Sequence, residues 1–306
     1  MKRILMLTAI IAAQSLFAGV QWTAKSSQQN DNKSSSMTIT GYAQGGSVRE
    51  EFSDVKGELG FKDGNYYLYN GKNNTVAMID VKEKSYIELP LDNIGGMMTM
   101  GGAMQMTVSN PQVTVKVLAP ETVNGWQCKH ILITTTYDME MKILFMTSKS
   151  HVEQTQELWG TQAAASKEMF AGFKNKAFRT GMKELDSVIT KNMQANADLG
   201  FVVKSITKQK NTADGKTTMS TSEMTVQTID NKNLSDSLFT VPTGYEKTTM
   251  EAPASSRETQ SKPAKETGDS KAKSEKETDA DAGKSKPSDK DVAEKAAKEL
   301  LKGFFR

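Results

Sequence analysis

The residues with the clearest chemical potential lie at 93–106, NIGGMMTMGGAMQM, where five methionines are interleaved with four glycines. Thioether sulfur is a soft donor that suits Cu(I), and a glycine-rich chain lets two or three such sulfurs converge. Met97, Met98, Met100, Met104 and Met106 offer two- and three-residue separations for that purpose. Cys128, His130, Met139 and Met141 add soft donors on neighbouring strand-like runs. Two facts weigh against a metal: no histidine falls inside 93–106, and methionine also occupies core-like positions such as Met169 and Met193. The same five side chains are unbranched and apolar, and methionine repacks readily around varied contents. They would therefore serve equally as the rim of an apolar cavity, or as plain packing against a sheet.

Nucleophilic chemistry has less support. Cys128 and His130 are the only Cys/His pair close in sequence. On a strand they share a face with Cβ atoms about 6–7 Å apart, beyond direct hydrogen-bond reach. No G-x-S-x-G elbow, phosphate loop or H-E-x-x-H segment occurs. The residues imply a non-catalytic protein with no cofactor. A single cysteine excludes an intrachain disulfide, and a net charge of +3 gives no footprint for nucleic acid.

The elements that would position these groups follow from hydrophobic period. Runs at 37–42, 47–52, 57–61, 65–70, 75–80 and 85–89 are separated by short turn sequences, among them Lys62-Asp63-Gly64. Further on, Val113, Val115 and Val117 alternate within 113–118, and Trp126, Cys128, His130 and Leu132 alternate within 126–133. Met139, Met141, Ile143 and Phe145 alternate within 139–145. Period-two alternation predicts an antiparallel sheet with one buried face. The period then changes across 162–199, where Met169, Phe170, Phe173 and Ala177, then Met182, Leu185, Ile189 and Met193, recur at helical spacing. Gly181 divides the two helices and Gly200 stands where a left-handed cap belongs. Strands at 201–209 and 217–229 close the order. The expected class is α+β: a curved antiparallel sheet, or open half-barrel, of about ten strands, with the helical insert as its lid.

The stretches ETVNGWQCKH (121–130), LWGT (158–161), FVVK (201–204) and above all LSDSLFTVPTGYEK (234–247) carry a resemblance. They resemble an uncharacterised bacterial envelope family, a domain of unknown function of the DUF4412 type, itself similar to the outer-membrane lipoprotein carriers (LolA/LolB-like). The resemblance covers roughly 37–247 and implies a LolA-like unclosed barrel with helices as a lid over an apolar interior. It brings no catalytic residues. The cavity and lid candidates are then Met97, Met98, Met100, Met104, Met106, Phe170, Phe173, Trp126 and Trp159.

The ends carry separate signals. Lys2 and Arg3 precede an apolar run to about Ala13, and Ala18 is a small residue at a cleavage position, the layout of a secretory signal over 1–18. The run is shorter than the roughly 20 apolar residues a spanning helix needs. Residues 19–36 read as a polar segment, within which 26–36 is expected to be unstructured and Trp22 to have no role, and 37–247 reads as the folded domain. Residues 248–290 are a charged linker without aromatics, expected to be disordered. Residues 291–306 form an amphipathic helix whose Leu300, Leu301, Phe304 and Phe305 would meet a membrane surface or a partner's groove. Together these features imply an exported protein, periplasmic or secreted. It would bind an apolar or acyl ligand or a lipoprotein-like partner, with Cu(I) binding by 97–106 or an adaptor role for the terminal helix as alternatives.

Overall fold

Consecutive hairpins build the chain into a sheet. The computed structural model describes residues 19–31, 33–57, 61–92, 104–143, 146–162 and 180–248. Strands β1 (Gly19–Asn30), β2 (Lys33–Gln44) and β3 (Ser47–Lys56) meander into the short strands β4 (Tyr66–Asn70), β5 (Thr75–Asp80) and β6 (Ser85–Pro90). Three long strands follow: β7 (Met104–Val123), β8 (Trp126–Ile143) and β9 (Met146–Thr161). Helix α1 (Lys183–Ala197) precedes the hairpin β10 (Phe201–Ala213) and β11 (Lys216–Lys232), and β12 (Glu246–Lys247) ends the described chain. The tight turns are set by residues that tolerate positive φ, Asn124-Gly125 between β7 and β8 and Asp214-Gly215 between β10 and β11.

All twelve described strands join one sheet in the order β12-β6-β5-β4-β3-β2-β1-β11-β10-β9-β8-β7. Every pairing is antiparallel except that of β12 with β6. The sheet is curved and does not close, leaving β7 and β12 at its two ends. Its bending is visible at the β7–β8 turn, where the Asn124 side-chain amide donates 2.7 Å to the Val226 carbonyl, although β11 lies three strands away from β8. Bulges at Thr23/Ala24 and Val202/Lys204 accompany that bend.

One apolar layer lines the inner face. Val20, Trp22, Ala24, Ala43, Val48, Tyr69, Cys128, Trp159, Phe201, Val203 and Val226 form it. Outside, two covers complete the fold. Leu199 and Ala195, at the end of α1, pack with Val113, Ile131, Ile133, Leu158 and Val202. At the other end of the sheet, Val241 and Tyr245 of the 234–248 segment seal Tyr66, Leu68, Ala77 and Ile79. No described helix is long and apolar enough to cross a membrane.

Several expectations need correction. Residues 19–36, expected to be polar and partly unstructured, instead supply β1 and the start of β2. Their serines and glutamines satisfy backbone pairing on both sides, because β1 lies mid-sheet between β2 and β11. Trp22, expected to have no role, is 3% exposed at the core's centre. The described sheet has twelve strands instead of ten, although the runs at 126–133 and 139–145 are one strand, β8. The run at 57–61 forms no described strand, since β3 continues to Lys56 and the chain turns at Lys62–Asn65. The described helix also misses its expected place as a lid over the inner face. Ile131 and Ile133, which it covers, point away from the side that carries Cys128 and His130 in the same strand.

Candidate functional site

A cross-strand row runs through the inner face from β1 to β6: Trp22 opposite Gly41, Gly41 opposite Glu50, Glu50 opposite Tyr67, Tyr67 opposite Met78, Met78 opposite Ile87. Residues paired in this way lie on one face of the sheet with Cβ atoms about 5 Å apart. Gly41 is required because the indole of Trp22 lies across it; a Cβ there would fall 1.9 Å from the ring. Trp22 in turn meets Phe201 edge-on at 5.7 Å between centroids.

At the turn end of β3–β6 the row opens into a hollow of about 290 Å³, walled by Phe52, Phe61, Tyr67, Met78, Ile79 and Ile87. Phe52, Phe61 and Tyr67 enclose one another at centroid distances of 4.6, 5.2 and 5.7 Å. Two of these three contacts are edge-to-face, the arrangement that aromatic quadrupoles prefer. The rim is fastened by Lys62, whose Nζ lies 2.8 Å from an Asp80 carboxylate oxygen, and that pairing holds the Asp80 carboxyl below its usual range. A groove of about 610 Å³ beside Lys25, Thr38, Asp54 and Glu223 is larger, but it is open and polar-lined. The smaller hollow is the one built to hold apolar matter.

Two adjacent acids of β3 have opposite surroundings. Glu51 faces outward and receives the Arg49 guanidinium, with Nη2 at 2.6 Å. Arg49 also donates to the Leu238 carbonyl and lies 3.7 Å over the Tyr66 ring, so the 234–248 segment is held through it. Glu50 faces inward between Val48 and Phe52, both buried. Among the described residues it has neither ion pair nor hydrogen bond, and burial pushes its carboxyl above the usual glutamate range. The Tyr67 hydroxyl is raised by the same burial and by its proximity to Glu50.

The expected site residues divide among three places. Trp159 is buried in the core and Trp126 packs partly buried against it, so neither lines the hollow. Met104 and Met106 belong to strand β7, not to a loop. Met106 stands opposite Met141, and Met139 is two positions along the same face. Cys128 and His130 lie on the reverse face of β8, so the soft donors expected to act together are separated by the sheet. Met97, Met98, Met100, Phe170, Phe173, Leu300, Leu301, Phe304 and Phe305 lie outside the described residues, as do 1–18 and 249–306. No cluster of His, Cys, Asp and Glu suited to a metal occurs among the described residues.

Cys128 and His130 are occupied separately. The Cys128 thiol donates to the Trp126 carbonyl at 3.3 Å, and burial pushes its pKa up, away from thiolate character. His130 stacks on Trp159 at 4.2 Å and sits 3.4 Å from a carboxylate oxygen of Glu121 on one side and of Glu157 on the other. The Trp159 indole N–H donates 3.0 Å to Glu121, and Lys204 lies 4.5 Å over the Trp159 ring.

Comparison with known proteins adds a family. A domain of unknown function, DUF4412, matches residues 25–245. None of the curated proteins matches the chain. A solved structure of PNGF-II is similar at 13% identity and a TM-score of 0.26, over 74% of this chain and 31% of that one. The chain therefore spans under a third of that structure's length. Sequence reasoning missed Glu50 as a site residue, although a signal was present. Val48-x-Glu50-x-Phe52 places an acid between two inward apolar positions of a period-two strand.

Proposed function

Because the chain belongs to the DUF4412 family, a domain of unknown function, we propose its role from geometry: an exported, non-catalytic envelope protein that binds an apolar ligand on its inner face. The observation that carries this reading is the 290 Å³ hollow walled by Phe52, Phe61, Tyr67, Met78 and Ile87. It sits at one end of a continuous apolar layer, so matter entering there exchanges water for hydrocarbon and ring faces. The place where β1 begins, Gly19, directly after the expected cleavage position, supports export. The likeness of 234–247 to lipoprotein carriers supports an acyl or lipoprotein-like cargo. The raised thiol of Cys128 and its distance from any activating base support the absence of nucleophilic catalysis.

Two measurements test the reading. Solvent extraction of purified protein followed by mass spectrometry should recover a lipid-like species, and the emptied protein should take up a fluorescent fatty acid. Replacing Met78 by Arg should abolish uptake without unfolding the sheet. Protein that yields no lipid and takes up no probe would remove the proposal.

A second reading has one observation in its favour. Met106, Met139 and Met141 share a face, with Met106 directly opposite Met141, so thioethers converge there as Cu(I) would require. Titration with Cu(I) against a competing chelator decides it. Affinity unchanged by joint replacement of those three methionines with leucine excludes that face.

A further inference from the structure

We propose that the occupant of the hollow carries a positive charge: an amine or other organic cation with an apolar body, its cationic group held by Glu50 and the aromatic rings beside it. This inference rests on the apolar-ligand reading and specifies the chemistry of the ligand's polar end.

The contrast within β3 is the starting point. The protein supplies Arg49 to Glu51, one residue away, with a guanidinium that makes both an Nε donation of 2.7 Å and an Nη2 contact of 2.6 Å. It supplies nothing comparable to Glu50 among the described residues. An ionised carboxylate taken out of water without a partner is costly, and folded proteins either pair such groups or keep them for a ligand. The inner-face row fixes where the carboxylate stands. Tyr67, a wall of the hollow, is its direct cross-strand neighbour, and Phe52, another wall, is two residues along its own strand. On the opposite side Trp22 lies across Gly41, closing off the core. Glu50 thus stands at the inner end of the hollow, with its apolar neighbours on all sides and the aromatic trio between it and the rim.

That combination selects against anions and neutral lipids. A fatty acid carboxylate beside Glu50 would place two like charges in an apolar setting. A neutral chain would fill the hollow but leave Glu50 unpaired. An ammonium group satisfies the carboxylate and also meets the negative faces of Phe52, Phe61 and Tyr67, the arrangement by which aromatic cages recognise alkylammonium ions. Lys62, the nearest described cation on the rim, is already engaged by Asp80 and does not compete.

The test uses the full chain and three probes of equal chain length, octylammonium, 1-octanol and octanoate, titrated by calorimetry at neutral pH. The expected order is octylammonium tighter than octanol by roughly tenfold or more, with octanoate weakest. Glu50→Gln should bring octylammonium down to the level of octanol while octanol itself is unchanged. If octanol binds and octylammonium binds no tighter, or keeps its advantage in Glu50→Gln, the cation inference is overturned and the apolar reading stands. If none of the three binds, both fall. Should Glu50→Gln not fold, the ranking of the three probes on the unaltered protein decides the matter by itself.

Discussion

Gly41 and Glu50 face each other across β2 and β3, and between them they set both the packing and the chemistry of the inner face. Any Cβ at Gly41 would overlap the Trp22 ring, so Gly41→Val should displace the indole and destabilise the fold by about 3 kcal/mol or more, read as a lowered urea midpoint with loss of near-ultraviolet tryptophan signal. Glu50 gives a pH signature whose sign follows from its raised carboxyl. The folded state holds that proton more tightly than the unfolded chain does. Its contribution to stability is therefore complete below the ordinary glutamate range and is lost as pH rises through the raised folded value. Glu50→Gln should remove this slope and leave the protein more stable than the parent at neutral pH, as thermal unfolding across a pH series would report. The charges at 49–51 read from sequence as an ordinary polar turn of strand. Only the register, which sends Arg49 and Glu51 outward and Glu50 inward, tells the two acids apart.

Among the elements, the 234–248 segment turns out to be a strap. Ser235 caps its 3-10 turn (Asp236–Phe239), Gln44 bonds Asp236, and Arg49 holds the Leu238 carbonyl before Val241 and Tyr245 reach the outer layer. The sequence phrase that carries the family resemblance is thus the piece that seals the back of β4–β6. Arg49→Ala would leave Glu51 without its partner and the strap without its main tether, costing about 1–3 kcal/mol. Faster proteolytic cleavage within 234–245, ahead of global unfolding, should accompany that loss. Other elements were legible to different degrees. Gly181 and Gly200 adopt the positive φ angles expected of a helix boundary and cap, at 77° and 86°. Helix α1 begins without a side-chain cap at Met182, and Asp186 compensates by accepting from the Thr180 amide and hydroxyl. Strand β1 was illegible because its apolar residues, Val20, Trp22 and Ala24, occupy only its first half, and Ser26–Asn30 alternates only between half-buried and exposed polar groups.

At the scale of the whole molecule, an antiparallel curved sheet with a helical insert was readable from period alone, because β7–β9 alternate over long runs and the turns carry Asn-Gly and Asp-Gly. The number of strands was not, since Thr134–Thr136 interrupts the alternation midway along β8 and hides that one strand spans 126–143. Nor was the location of the hollow. Sequence directed attention to 93–106, whereas the enclosed apolar space lies at the opposite end of the sheet, beneath aromatic residues of β3, β4 and the 61–65 turn. The most direct test is methyl-resolved NMR of the full chain titrated with 1-octanol. Saturable shifts at the methyls of Met78 and Ile87, lost in Met78→Arg, are expected for a ligand seated in the hollow. Unchanged Met78 and Ile87 methyls, with shifts only at Met106 and Met141 or at none, would contradict it.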